Sequence, residues 1–242
     1  MQIDLLQLYS LIDLTSLNET DNAEVISALC KKAILPKTHV AAVCVYPQFV
    51  EQAKKILSSA PVKIATVANF PHGTSSLENV VTEIKASIQN GADEIDVVFP
   101  YPLYFQGQKE QAYDFIRACK AACGEKILLK VILETGALED PAIIAEVSYN
   151  VCHAGADLLK TSTGKIAVGA TLPAAEAMLQ VIKKIPRSIG FKVSGGVRTI
   201  EQAMEYIDLA AQIMGEKWVD SQHVRIGASQ LVDSIAASLA VL

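Results

Sequence analysis

Charged residues interrupt several stretches of this sequence that otherwise have the composition of buried strands. Asp96 lies in EIDVVFP (94–100), Lys130 in ILLKVILE (127–134), Lys160 in DLLKTST (157–163) and Lys192 in IGFKVSG (189–195). Burying an ion destabilises a protein unless the ion is paired or serves a function. A structural ion pair explains one such residue as well as catalysis does. Several that converge on one place favour an active site.

Two buried lysines and a carboxylate suit the formation of an imine with a carbonyl compound. A lysine with its ordinary pKa of ~10.4 has about one part in 2,500 of neutral amine at pH 7. Lowering that pKa to about 7 requires roughly 4.6 kcal/mol, which burial and a second ammonium can supply. Lys160 and Lys192 are expected on adjacent strands, which lie about 4.8 Å apart, and Asp96 is expected to transfer protons. These arguments do not decide which lysine forms the imine.

Eight short apolar runs alternate with helical stretches, and no linker divides the chain. The predicted strands are LIDLT (11–15), AAVCVYP (41–47), KIATVANFP (63–71), EIDVVFP, ILLKVILE, DLLKTST, IGFKVSG and VRIGAS (224–229). Helical periodicity is clear in residues 78–90 and 199–214. This alternation predicts a parallel sheet, closed as an α/β single-domain (β/α)8 TIM barrel over residues 1–242. An open doubly wound sheet is the rival, but no G-x-G-x-x-G follows the first strand.

Active sites of such barrels are built at the C-terminal ends of the strands. Three further residues are expected to support the site there: Asp13 in the first strand, Cys44 in the second, and Lys130 in the fifth. Taken alone, Cys44 is expected to be a small buried hydrophobe and not a nucleophile.

Two glycine-containing loops stand where barrels of this type commonly bind phosphate, after the seventh and eighth strands. In SGGVRT (194–199), Gly195 and Gly196 permit close backbone approach, and in GAS (227–229) Ser229 offers a hydroxyl. Arg198 either binds the phosphate or pairs with a surface carboxylate. The TGK segment (163–165) is no P-loop, because the spacing G-x-x-x-x-G-K-[ST] is absent.

Composition limits the expected partners and location. The net charge of −5 argues against nucleic acid as a partner but permits an anionic small ligand. We expect no signal peptide and no membrane partner, because the apolar runs are too short to span a bilayer. Five scattered cysteines predict free thiols in a reducing compartment, so the cytoplasm is the expected location. Neither the cysteines nor the histidines have metal-site spacing, so no metal is expected.

Several motifs together resemble deoxyribose-phosphate aldolase of the bacterial type. They are LKTSTGK, EIDVVFPY, LKVILETG, NFPHG and GFKVSGGVRT, and the resemblance runs from SLIDLTSLN (10–18) to RIGAS (225–229). It implies a (β/α)8 barrel and a metal-independent class I aldolase that needs no cofactor. The implied reaction is reversible cleavage of 2-deoxy-D-ribose 5-phosphate to D-glyceraldehyde 3-phosphate and acetaldehyde. By analogy, a homodimer is also expected.

By motif, the resemblance implies that Lys160 forms the Schiff base, that Lys192 perturbs its pKa and that Asp96 transfers protons. The implied phosphate region comprises Gly164, Lys165, Gly195, Gly196, Gly227 and Ser229. Two departures stand out. Gln230 replaces the second serine that some members have after Gly-Ala, so one phosphate contact is in question. The last tyrosine is Tyr206, so a C-terminal tyrosine that assists proton transfer in some relatives is expected to be missing or replaced.

Two other functions stay open. One is a Schiff-base aldolase that acts on another sugar phosphate, such as a ketose phosphate. The other is a non-catalytic sugar-phosphate-binding barrel used as a sensor, which gives no reason for both Lys160 and Lys192 to lie in the barrel. Trapping an adduct at Lys160 with borohydride would separate an aldolase from a sensor.

Overall fold

The computed structural model describes residues 3–240, and its central feature is a closed barrel of parallel strands. In chain order the strands are β1 (Ile12–Thr15), β2 (Ala42–Val45), β3 (Lys63–Ala68), β4 (Glu94–Val98), β5 (Leu128–Ile132), β6 (Leu158–Lys160), β7 (Gly190–Ser194) and β8 (Val224–Ala228). Each pairs with its neighbours in sequence, and β8 closes the barrel on β1. The predicted (β/α)8 TIM barrel is confirmed.

Helices cover the outside of the barrel. They are α1 (Leu5–Ser10), α2 (Ala23–Lys32), α3 (Val50–Ile56), α4 (Leu77–Gln89), α5 (Tyr101–Phe105), α6 (Lys109–Cys123), α7 (Thr135–Leu138), α8 (Pro141–His153), α9 (Leu172–Ile182), α10 (Ile200–Met214) and α11 (Leu231–Ala240), with 3-10 turns at Pro47–Phe49 and Glu216–Trp218. Four of the longer helices begin at side chains that accept a hydrogen bond from the backbone amide three residues later: Asn22, Ser76, Thr171 and Thr199. The predicted helices at 78–90 and 199–214 correspond to α4 and α10.

Strand alternation separates an outer apolar layer from a charged interior. In β4 every residue is buried. Ile95 and Val97 join the main apolar core, which packs under the helices. Glu94 and Asp96 alternate with them and therefore point to the inside of the barrel. The barrel thus places some of its charged residues where no water shields them.

Strand β6 is shorter than predicted. The sequence predicted 157–163, whereas the strand ends at Lys160 and residues 161–163 enter a turn. The side chain of Thr161 explains the difference, because its hydroxyl bonds to both the N–H and the carbonyl oxygen of Ser194 on β7, in competition with the strand ladder. Lys160 consequently lies at the C-terminal end of its strand, where the fold builds its sites.

A small antiparallel hairpin, Ile34–Leu35 with Thr38–His39, was not predicted. Two-residue strands are too short to show an alternating pattern. Within residues 3–240, no helix is both long and apolar enough to cross a membrane. The prediction about a missing C-terminal tyrosine concerns the chain end, and Val241 and Leu242 lie outside the described residues.

Candidate active site

Charged side chains from six strands meet inside the barrel, and none of them is more than 5% exposed: Asp13, Glu94, Asp96, Lys130, Lys160, Lys192 and Arg225. The strand register sets Lys160 level with Lys192 on the neighbouring strand. It also sets Asp96 level with Lys130. The predicted convergence of buried charges on the barrel interior is therefore present in the fold.

The deeper part of this cluster is fully paired. The Nζ of Lys130 lies 2.5 Å from Glu94 Oε2, 2.9 Å from Asp96 Oδ1 and 3.1 Å from Asp13 Oδ2. The guanidinium of Arg225 donates to Asp13 Oδ1 at 2.7 Å and to Glu94 Oε1 at 2.9 Å. Such multiple contacts are what a buried charge requires, because each ion loses its hydration.

The two lysines of the neighbouring strands β6 and β7 differ in their partners. Lys192 Nζ lies 2.5 Å from Asp13 Oδ2 and 2.7 Å from Asp96 Oδ2. Lys160 Nζ contacts a single carboxylate, Asp96 Oδ2, at 2.8 Å. Lys160 is thus the buried cation with the weakest electrostatic support.

The cluster explains why the pKa shifts of the two lysines have opposite signs. Burial is the largest influence on both and favours the neutral amine. For Lys160, burial and the nearby ammonium of Lys192 prevail over Asp96, so its pKa is lowered from the ordinary value. For Lys192, Asp13 and Asp96 together outweigh burial, so its pKa is raised.

Charge balance leads to the same result. When all groups are ionised, the ion-paired cluster carries four positive and three negative charges. Releasing one proton makes it neutral, and a buried cluster favours that state. Although burial alone would raise the pKa of Asp96, the lysines Lys130, Lys160 and Lys192 hold it well below the usual range. Among the three lysines of the cluster, Lys160 is therefore the one that loses a proton most readily, since its pKa is lowered and those of Lys130 and Lys192 are raised.

A cavity of about 220 Å³ opens at the C-terminal ends of the strands, with Lys160 in its wall. Its lining also contains Arg198 and all the residues predicted for phosphate: Gly164, Lys165, Gly195, Gly196, Gly227 and Ser229. Asp96 and Lys192 do not line this cavity. They lie within the barrel, where Asp96 contacts both Lys160 and Lys192. A larger cavity of about 490 Å³ lies between residues 73–77 and α5–α6, but no lysine lines it.

The glycines of this cavity are required by geometry. Gly195 has φ +88°, and a Cβ there would lie 3.2 Å from Gly169 Cα and 3.3 Å from Ser162 Cβ. A Cβ at Gly227 would lie 2.8 Å from Ser194 Cβ and 3.3 Å from Lys192 Cε. Any larger residue at these positions would displace the backbone or Lys192.

Two cationic side chains lie at the cavity rim. The Nζ of Lys165 donates to the backbone oxygen of Leu17 at 2.5 Å, in the loop after β1. Arg198 is exposed, and its backbone amide donates to Gln202 Oε1 at the start of α10. Both face the glycine loops, so an anionic group in this cavity would meet backbone N–H groups and positive charge together.

Comparison with known proteins identifies the family. A model described as DeoC/LacD family aldolase matches residues 8–231. The chain belongs to this family. A solved structure from Coccidioides immitis, provisionally named a deoxyribose-phosphate aldolase, is 31% identical with a TM-score of 0.85, over 97% of this chain and 87% of that one. The resemblance recognised from the motifs is thereby confirmed.

Two further structures match this aldolase. One is named QR15, an aldolase, with 26% identity and a TM-score of 0.81 over 98% of both chains. The other is a tetrameric deoxyribose phosphate aldolase from Aeropyrum pernix, with 24% identity and a TM-score of 0.78 over 99% of this chain and 94% of that one. At that identity the second likeness concerns the fold alone.

Cys44 lies beside the charged cluster of the aldolase but within a small apolar group. Ala42, Ala65 and Val67 surround it, and it is fully buried. Burial raises the pKa of its thiol, so the reactive thiolate is disfavoured. Among residues 3–240, no three histidines, cysteines or carboxylates are grouped as metal ligands.

Several residues of this region were not predicted from the sequence. Glu94 and Arg225 were seen only as strand residues, although both are charges within predicted strands and could have been found by the rule that singled out Asp96. Glu134 is also fully buried. Burial raises the pKa of its carboxyl group, although hydrogen bonds from Thr163 act in the opposite direction. In the sequence it is the last residue of the predicted strand ILLKVILE, where a charge carried no signal.

Proposed function

We propose that this aldolase is a class I, Schiff-base enzyme that reversibly cleaves 2-deoxy-D-ribose 5-phosphate to D-glyceraldehyde 3-phosphate and acetaldehyde. The observation that carries the proposal is the state of Lys160. The residue is 2% exposed, its amine has a lowered pKa, and it lies at a cavity that glycines after β6, after β7 and near the end of β8 also line. A nucleophilic amine and an anion site in one cavity suit an aldehyde that carries a phosphate.

The reaction begins when the neutral amine of Lys160 attacks C1 of the open-chain sugar. The carbinolamine loses water and leaves a protonated imine, which withdraws electrons from the C2–C3 bond. Removal of the C3 hydroxyl proton then breaks that bond and releases D-glyceraldehyde 3-phosphate, while the electron pair passes to C2 as an enamine. Protonation at C2 and hydrolysis release acetaldehyde and restore the amine.

Asp96 and Lys192 act on these reaction steps from within the barrel, below the cavity. Asp96 contacts the Nζ of Lys160 at 2.8 Å, so its carboxylate faces the nitrogen that becomes cationic in the imine. It is placed to exchange protons with that nitrogen or with a water beside it. Lys192 keeps the resting amine neutral because a second cation close by penalises protonation of Lys160.

The phosphate would occupy the opposite side of the cavity. Gly164, Gly195 and Gly196 have positive φ values and line the cavity, where the lack of a side chain leaves their backbone open to an anionic group. Lys165, Arg198 and Ser229 supply charge and a hydroxyl at its rim. Because Gln230 follows Ser229, a carboxamide replaces a hydroxyl that some relatives have.

Release of acetaldehyde from 2-deoxyribose 5-phosphate tests the proposal directly. We expect turnover by the wild-type chain and by a control with the exposed Lys55→Met change, and none by Lys160→Met. Faster cleavage of a ketose phosphate such as fructose 1-phosphate would assign a different aldolase substrate. Binding of sugar phosphate without any cleavage would indicate a sensor instead.

The proposed partners are the sugar phosphate and acetaldehyde, without a metal or cofactor. The predictions of a homodimer, of a cytoplasmic location, and of no nucleic-acid or membrane partner stay predictions. The Aeropyrum pernix structure is tetrameric. The oligomeric state of this chain requires its own measurement in solution.

A further inference from the structure

Glu134 is a buried carboxylate that the proposed reaction does not use. It lies two residues after the end of β5, its side chain is fully buried, and its backbone adopts φ +58° and ψ +60°. Non-glycine residues seldom adopt this left-handed conformation, and they do so where surrounding contacts hold them in place. A buried acid in a strained position calls for a physical reason.

The Glu134 carboxylate forms its hydrogen bonds with the turn after β6, residues 161–163. Glu134 Oε1 accepts from the backbone N–H of Thr163 at 3.2 Å, and Oε2 accepts from Thr163 Oγ1 at 2.5 Å. Thr163 Oγ1 in turn accepts from the backbone N–H of Lys165 at 3.0 Å. Because the hydroxyl proton is directed to the carboxylate, a lone pair of the same oxygen is free for Lys165.

The other side of this turn is held by β7. Thr161 Oγ1 donates to Ser194 O at 2.9 Å and accepts from Ser194 N at 3.0 Å. Ser194 Oγ donates to Ser162 O at 2.5 Å. Residues 161–163 are therefore fixed between the ends of two neighbouring strands, with Glu134 on one side and Ser194 on the other.

The fixed turn joins the two halves of the cavity. It starts directly after Lys160, which supplies the amine, and ends directly before Gly164 and Lys165, which face the phosphate region. Its conformation therefore sets the distance between the amine and the anion site. An error of about 1 Å in such a distance reduces catalysis strongly.

We propose that Glu134 is a positioning residue that, through Thr163, holds Gly164 and Lys165 in place for the phosphate of the substrate. The inference rests on the proposed function, since it assigns the phosphate to this side of the cavity. Glu134 forms no hydrogen bond with the amine of Lys160 and does not itself line the cavity, which it reaches only through Thr163. Its effect is expected on substrate binding and not on the chemistry of the amine.

Glu134→Gln tests the proposal with little change in shape. A carboxamide still accepts from Thr163 N–H, but its NH₂ group cannot accept the Thr163 hydroxyl proton. We expect KM for 2-deoxyribose 5-phosphate to rise roughly 10- to 100-fold, the loss expected for a hydrogen bond to a charged group. The rate of borohydride-trapped adduct formation between acetaldehyde and Lys160 should stay within about twofold of wild type, because acetaldehyde has no phosphate.

Thr163 provides a second variant, and Glu83 a matched control. Thr163→Val should repeat the rise in KM, whereas Thr163→Ser, which keeps the hydroxyl, should show a smaller rise. Glu83 is a half-buried carboxylate whose pKa is also raised by burial. It accepts a hydrogen bond from the backbone N–H of Asn69, a residue with a positive φ. Glu83→Gln removes a comparable group away from the cavity and should leave KM unchanged.

The outcomes separate this inference from the proposed function. An unchanged KM in both Glu134→Gln and Thr163→Val overturns the positioning role. So does an equal loss of adduct formation and of sugar-phosphate binding, which would place the action of Glu134 on Lys160 or on folding. If the wild-type chain itself neither forms the adduct nor cleaves the sugar phosphate, the proposed function fails first.

Discussion

The C-terminal end of β6 and the centre of β7 present the same side chain in opposite electrostatic surroundings. Lys160 and Lys192 lie at paired positions of the two strands, and both are buried. Lys192 contacts two carboxylates, whereas Lys160 contacts one and also lines a cavity. The pKa of Lys192 is raised and that of Lys160 is lowered.

This contrast shows how a barrel interior can lower the pKa of one lysine among several. Burial favours the neutral form of both amines. The number of carboxylates within contact then decides which of them keeps its proton. The deeper lysines hold the charge that makes protonation of Lys160 unfavourable, and of Lys130, Lys160 and Lys192 only Lys160 lines the cavity.

The largest expected effect comes from Lys160→Met. Activity should fall at least about 10⁴-fold, as when a covalent nucleophile is removed from an enzyme. Stability should not fall, because Asp96 keeps Lys130 and Lys192 as partners and the cluster becomes neutral. Acetaldehyde release and urea unfolding measure the two effects, and a strongly destabilised variant would contradict the view that Lys160 is the surplus cation.

The opposite pattern is expected for Lys130→Met. Lys130 contacts three carboxylates, and removing it leaves Asp13, Glu94 and Asp96 short of positive charge. Breaking a buried ion pair by removing one partner typically destabilises a protein by about 3–5 kcal/mol. The free energy of unfolding should fall by that amount relative to Lys160→Met, which carries the same new side chain. Equal stabilities of the two variants would remove the distinction between the paired and the surplus cation.

Lys192→Met should shift the pH dependence of activity. Without this ammonium, the remaining charges of the cluster balance with Lys160 protonated, so the pKa of Lys160 rises. Each unit of that rise lowers the neutral fraction near pH 7 about tenfold. The alkaline shift of the rate profile, with activity partly recovered at high pH, is the expected result. A profile that falls uniformly without shifting would assign Lys192 a role other than perturbing Lys160.

The smallest effect concerns acid stability. Buried cations hold the pKa values of Asp13 and Asp96 below the ordinary value, against the effect of burial. A carboxylate with a depressed folded-state pKa stabilises the fold above its unfolded pKa of ~3.9, and this contribution is lost as the pH falls below it. Each contributes a slope of up to about 1.4 kcal/mol per pH unit. Urea unfolding between pH 5 and pH 3 measures the loss, and a constant free energy of unfolding would contradict it.

The fold could be predicted because the barrel strands are buried on both faces. Each of the eight predicted runs contains one strand of the barrel, since apolar runs separated by helical stretches are specific to parallel sheets. Strand ends were less accurate. After β6, the hydroxyl of Thr161 donates to the backbone oxygen of Ser194, and that of Thr163 donates to the Glu134 carboxylate. The backbone oxygen of Ser162 accepts from the Ser194 hydroxyl, so these residues do not continue the strand that the sequence predicts.

The site was predicted only in part, for a related reason. A lysine or aspartate inside an apolar run is visible in the sequence, so Asp96, Lys160 and Lys192 could be selected. Arg225 stands between Val224 and Ile226 and gave the same signal, but its contact with Glu94 depends on packing across the barrel. Glu134 stands at a strand end, where charges are common, and only its burial and backbone geometry distinguish it.

Reductive labelling with acetaldehyde and borohydride, followed by peptide mapping across a pH series, distinguishes the two paired lysines. We predict that Lys160 is modified, with an apparent pKa below that of an ordinary lysine, and that Lys192 on the paired strand stays unmodified. Modification of Lys192, or labelling of Lys160 only at the pH of an exposed lysine such as Lys55, would contradict this prediction.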